Sequence, residues 1–218
     1  MYPDLPPVTP DRQRLRLRFC KQGDLRWISH RDLARMLERL VRRAGLVLRM
    51  SEGFHPKPKM AFPSALALGI AGQAEVMELE LARPADPREV ATRLNAQAPP
   101  GLRVSQVQAL HAGQGKARLR AMTYQFPVPH ERRQPVEQAI QQLLASSHLL
   151  VRRDDRPEPV DRRADLESLE WCDGAVRFRI LAAQQASLRP RDVLQALGLT
   201  DLEQQGYFLT RSEVELTS

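Results

Sequence analysis

Apolar and polar residues alternate from Arg14 to Phe19, with Leu15, Leu17 and Phe19 on one side and Arg14, Arg16 and Arg18 on the other. A period of two predicts a half-buried strand. Lys21 to Asp24 reads as a turn. The period then changes. Leu33, Met36, Leu37, Leu40, Val41 and Ala44 recur at helical spacing, Ser29 and Asp32 stand as a capping pair, and Gly45 closes the helix. Leu46 to Met50 reads as a short strand, and the apolar run from Met60 to Ile70 as a buried strand and turn. From Glu75 to Leu81 the alternation returns, setting Val76, Glu78 and Glu80 against Met77, Leu79 and Leu81. Asp86 and Pro87 open a second helix, Pro99 to Gly101 stops it, and Leu102 to Leu110 is a further strand. The order strand, helix, strand, strand, helix, strand is that of the ferredoxin-like unit.

After a polar stretch the order restarts. Met122 to Val128 is strand-like, and Pro135 to Ala145 is helical, with Val136, Ile140, Leu143 and Leu144 on one face. Leu149 to Arg153 and Ala175 to Leu181 read as strands around a charged segment and Leu166 to Trp171, Pro190 to Leu197 as a helix, and Tyr207 to Leu216 as a last strand. The expected fold is α+β, with tandem ferredoxin-like (βαββαβ) halves and antiparallel sheets. The boundaries are a flexible arm at 1–13, a first half at 14–111, a linker at 112–120 and a second half at 121–218.

Charge changes this picture from a generic fold to a class of partner. The 218 residues carry a formal charge of +7, with a pI near 10.1. Such a balance favours nucleic acid, an anionic membrane surface or an acidic protein. No apolar run approaches a membrane span, and Met1 to Pro10 lacks an apolar core, so no membrane association is expected. Cys20 and Cys172 lie far apart, with neither a disulfide framework nor metal spacing, which fits a reducing cytoplasm. No histidine pair has metal-ligand spacing, so the expectation is no metal and no cofactor.

The segment Ser51-Glu52-Gly53-Phe54-His55-Pro56-Lys57-Pro58-Lys59 concentrates the candidate chemistry. An aromatic ring can stack on a base, an imidazole can exchange a proton, and ammonium groups neutralise phosphate. Prolines and Gly53 shape the backbone that carries them. The preceding helix sets Arg31, Arg35, Arg39 and Arg42 opposite its apolar stripe, a face that is commonly just solvated. Phe54 and Trp27 are candidate stacking residues, although aromatics more often serve as core or lid. His30 and His55 are the candidate catalytic pair, with His30 held neutral next to the helix N-terminus. Local packing or capping is the commoner role for such a histidine. Arg162, Arg163, Arg189 and Arg191 are candidate anion-binding residues around Asp161, with an internal ion-pair cluster as the plainer reading.

The run from Leu15 to Leu33, with Phe19-Cys-Lys-Gln-Gly-Asp-Leu-Arg-Trp-Ile-Ser-His-Arg-Asp inside it, and the later Ser51 to Lys59 segment together resemble the radical-SAM-linked, or radical-SAM-associated, proteins, a bacterial domain of unknown function. Val160 to Arg163 and Ser187 to Leu194 resemble that family's second half. The resemblance implies a radical SAM protein as partner, fused or encoded nearby. Radical SAM domains hold an iron–sulfur cluster on closely spaced cysteines. Two distant cysteines cannot supply three such ligands, so the expected partner is a separate chain. The leading expectation is a non-enzymatic accessory protein that binds RNA, tRNA or rRNA, and presents it to a radical SAM modifying enzyme. Arg31, Arg35, Arg39, Lys57 and Lys59 would contact phosphates there. The alternatives are a metal-independent ribonuclease using His30 and His55, and a pure protein adaptor.

Overall fold

The computed structural model describes residues 12–111, 113–153, 156–182 and 188–217. Residues 1–11 of the expected arm, and Ser187 of the second-half motif, lie outside the described residues. The chain divides into two compact units, one made of Met1–Leu68 and Ala74–Ala117, the other of Gly69–Gln73 and Arg118–Ser218.

In the first unit β1 (Gln13–Lys21) is followed by α1 (His30–Arg43), β2 (Met60–Ala61), β3 (Ala71–Leu81), α2 (Pro87–Gln97) and β4 (Leu102–Leu110). The strands lie in the order β4-β1-β3, with β2 on β3. That is the ferredoxin-like arrangement, in which the first strand is central. The alternation read in β1 is met, since Leu15, Leu17 and Phe19 are buried against Leu33, Leu37 and Leu40 of α1. Ser29 caps α1 by accepting the Asp32 N–H at 3.1 Å. Gly45 follows its end at φ +67°, a conformation most other residues resist.

Two expected strands are reduced. Leu46 to Met50 forms only isolated bridges, Leu48 to Leu81 of β3 and Met50 to Pro58 of the proline segment. The Met60 to Ile70 run keeps strand structure only at Met60–Ala61. Pro63 has no N–H to give a ladder, and the chain beyond it runs irregularly to Gly69.

The second unit repeats the order. It contains β5 (Leu119–Pro127), α3 (Arg133–Ala145), β6 (Leu150–Arg153), β7 (Arg156–Asp161), β8 (Leu166–Cys172), β9 (Ala175–Leu181), α4 (Pro190–Ala196), α5 (Thr200–Gln204) and β10 (Thr210–Leu216). Its sheet runs β10-β5-β9-β8, and each of these pairs is antiparallel. The strand expected at Leu149 to Arg153 is outside that sheet. It pairs with β7 as a separate two-stranded ribbon inserted between α3 and β8. Ala71 and Gly72, the start of β3, belong to this unit, where they pair in parallel with Thr210 and Arg211. The fold is α+β with two ferredoxin-like halves and mainly antiparallel pairing.

Candidate functional site

The proline segment is a braced loop. Lys59 N–H donates to the Arg49 carbonyl at 2.8 Å, and Ser51 N–H to the Lys57 carbonyl at 2.8 Å. Lys57 N–H returns a bond to Ser51 Oγ at 2.9 Å. Pro56 and Pro58 thus alternate with lysines whose N–H groups are both used, so the missing proline donors cost no ladder bond. Gly53 sits at the turn with φ +117°. Across this closure Phe54 is driven fully into solvent, at 103% relative exposure. An aromatic ring left wholly in water on a fixed loop is out of place in a packing role. Trp27 is also exposed, at 58%, with the Arg26 guanidinium 4.8 Å from its ring centroid.

The two lysines differ. Lys57 is exposed and meets no carboxylate among the described residues. Lys59 lies 3.6 Å from Glu80, which also has Arg49 at 3.6 Å. On α1 the apolar stripe turns Arg31, Arg35, Arg39 and Arg42 outward, and all four are exposed. Arg42 pairs with Glu38 at 2.6 Å and Arg35 stands 3.7 Å from Asp32. Arg31 and Arg39 have no such partner among the described residues.

The histidines are not brought together. His30 begins α1 and packs edge-on against Phe62, with ring centroids 5.0 Å apart. His55 is exposed in the loop and makes no hydrogen bond or ring contact with a described residue.

The arginines of the second unit serve local structure. Arg163 donates to the carbonyls of Ser146 and Leu166, Arg191 grips Glu203, and Arg162 is 3.8 Å from Asp165. Arg189 is exposed at the start of α4, where its N–H is capped by Asp192. Sequence reading passed over Arg153, which forks onto both Asp192 oxygens at 3.0 and 2.7 Å. It also missed the closure of Arg14 and Arg16 on the buried Glu78. Both pairings join residues far apart in the chain, which no local pattern signals.

Asp161 closes the β6–β7 ribbon. Its carboxylate accepts the N–H groups of Leu149 at 2.9 Å and Arg163 at 3.0 Å, and His148 Nδ1 lies 2.6 Å away. These bonds, the backbone ones foremost, hold its pKa well below the usual aspartate value. A depressed carboxylate stabilises the fold above its unfolded pKa, and that contribution is lost as pH falls through the folded value. Asp161→Asn is therefore expected to lower stability near neutral pH, with the gap from wild type closing in strong acid. Urea titrations across that range measure it. A gap that is unchanged or widens in acid would remove the carboxylate from the ribbon's stability.

Among the described residues no cluster of His, Cys, Asp and Glu is arranged to hold a metal ion, and no helix is long and apolar enough to cross a membrane. A family model described as an uncharacterized protein conserved in bacteria (DUF2344) matches residues 14–190. No curated protein matches. Among solved structures, an unknown protein from Galdieria sulphuraria is 13% identical, with 95% of this chain and 100% of that one covered and a TM-score of 0.28. A putative glycine cleavage system transcriptional repressor is 9% identical, with 95% and 98% covered and a TM-score of 0.23.

Proposed function

We propose, for a chain that belongs to the uncharacterized family DUF2344 conserved in bacteria, the role of an RNA-binding accessory protein. The observation that carries it is Phe54, fully exposed on a braced loop beside the unpaired Lys57. A stacking ring and a free cation a few residues apart are the parts a single-stranded nucleotide needs. The exposed Arg31 and Arg39 add cations without internal partners for further phosphates. Structured RNA of the tRNA or rRNA kind would be presented to a separate radical SAM enzyme in the cytoplasm, the partner implied by the sequence resemblance. The nuclease reading is less well supported, because His30 is engaged with Phe62 and makes no pair with His55.

Crosslinking the protein to RNA in cells, with sequencing of what is bound, tests the proposal. Enrichment of defined RNAs that remain intact on incubation is the expected result. Cleavage that disappears in His30→Ala would replace it with the nuclease. Absence of RNA, with a radical SAM enzyme co-purifying, would replace it with the adaptor.

A further inference from the structure

Trp27 ends a single 3₁₀ turn, Gly23–Trp27, between β1 and α1. The turn is held on both sides. Gln22 N–H donates to the Gly101 carbonyl at 2.8 Å, and Ile28 N–H to the Leu25 carbonyl at 3.1 Å. The buried Lys21 donates from Nζ to the Ile28 carbonyl at 3.0 Å. Leu25 and Ile28 pack against the core, whereas Trp27 between them stays 58% exposed. The Arg26 guanidinium donates to the Gly23 carbonyl at 3.2 Å and stands over the indole, 4.8 Å from the ring centroid. One face of the ring is therefore taken by a cation, and the exposure falls on the other face and the edge.

A fixed ring with a cation behind it and one face open suits a single flat partner. Its exposed chain neighbours Asp24, Ser29 and Arg31 are all polar, so no apolar patch extends along the chain from it for a protein to cover. A nucleotide fits these surroundings, because its base stacks on one ring face and its phosphate takes a cation. Arg31 stands four residues on, in the first turn of α1, exposed and without an ion-pair partner among the described residues. Trp27 and Phe54 lie in the same unit, where the His30–Phe62 ring contact ties the start of α1 to the end of β2, the strand that leaves the proline loop. We infer that Trp27 is a second base-stacking platform, which holds a different nucleotide of the same single strand from the one on Phe54. That assignment rests on the RNA reading of the Phe54 loop and deepens it. The substrate becomes an RNA with at least two unpaired nucleotides, since bases inside a duplex are stacked on their neighbours and leave no free face.

The chain has two tryptophans, so Trp171→Phe leaves Trp27 as its only indole. Titrating that full-length variant with a mixed-sequence single-stranded RNA of about 16 nucleotides is expected to quench its fluorescence, and the duplex of the same sequence is expected not to. With Trp171 in place, Trp27→Ala should weaken single-strand binding roughly 5- to 150-fold, the range for one stacked base, and leave the salt dependence unchanged. Trp27→Phe keeps a ring and should recover most of that loss. Trp27→Ala combined with Phe54→Ala should show the product of the two separate losses, because two nucleotides are held. Trp27 is exposed, so the fold should survive, and circular dichroism checks each variant. If Phe54→Ala weakens binding while Trp27→Ala does not, or if Trp27 is not quenched, the second platform is overturned and the loop reading stands. A double variant no weaker than Phe54→Ala would also overturn it, as would a duplex that quenches as strongly as the single strand. Failure of the wild type to bind the single strand at all would overturn both readings.

Discussion

Glu78→Ala is expected to cost about 3–5 kcal/mol of folding stability, the range for removing one partner of a buried ion pair. The Glu78 side chain is 8% exposed, and those of Arg14 and Arg16 are 26% and 16% exposed. Arg16 reaches one carboxylate oxygen through Nε at 3.0 Å and Nη2 at 2.7 Å, and Arg14 reaches the other at 3.2 Å. The Ala117 N–H donates to the same group at 3.2 Å. Removing the carboxylate leaves two guanidinium groups facing each other in a half-closed space and an amide without its acceptor. Arg14 also holds the carbonyls of Gln114 and Gly115, so loss of its anchor should loosen the segment after β4. Glu38→Ala is the control. Its partner Arg42 is 61% exposed, and an exposed pair at that spacing contributes less than about 1 kcal/mol. Urea denaturation of both variants decides the matter. Equal small losses would mean that Glu78 is solvated enough to be dispensable.

Glu78 also marks where sequence reading stopped. The alternation of β1 and β3 put Arg14, Arg16, Glu78 and Glu80 on polar faces, and those faces follow from local spacing. That the two faces meet depends on β1 lying next to β3, a pairing across some sixty residues that no short-range pattern records. Lys21 is a different case. It shares the parity of Leu15, Leu17 and Phe19, so the pattern itself pointed inward, yet a lysine beside Gln22 and Gly23 reads as a turn. The structure extends β1 through Lys21 and buries it, with Nζ donating to the Ile28 carbonyl at 3.0 Å. Pattern was the better guide there than residue type. Helix α1 was legible almost to the residue, because its cap, its stripe and its closing glycine are all local. The β6–β7 ribbon was not. A short apolar strand has the same signature in a main sheet and in a hairpin insertion, and only the pairing of Val151 with Val160 tells them apart. For the candidate site, sequence supplied the residues of the loop but not their environments. Lys57 and Lys59 look equivalent in the chain, and only Glu80, brought up by β3, separates them.

That separation shapes the second large effect. Phe54→Ala is expected to weaken RNA binding by about 1–3 kcal/mol, the range for a stacked base, while leaving the salt dependence nearly unchanged. A ring with no contact to the fold can be removed without unfolding it, so the loss would report on binding alone. Lys57→Ala should behave in the opposite manner. For single strands log affinity falls with log salt by about 0.7 per phosphate neutralised, so losing one free ammonium should lower the slope by about 0.7. Lys59→Ala should lower it less, since its charge is shared with Glu80 before any phosphate arrives. Arg31→Ala with Arg39→Ala tests the helix face in the same way, with a drop of about 1.4 if both cations reach phosphates. The measurement is affinity for one RNA at several salt concentrations, for wild type and each variant. The pattern matters more than any single value, because a general loss of structure would weaken every variant without sorting slope from intercept. If Phe54→Ala binds as tightly as wild type, the exposed ring has no base to stack on and the loop is not the recognition element. If Lys57→Ala and Lys59→Ala shift the slope equally, the Glu80 pairing does not restrain Lys59 in solution.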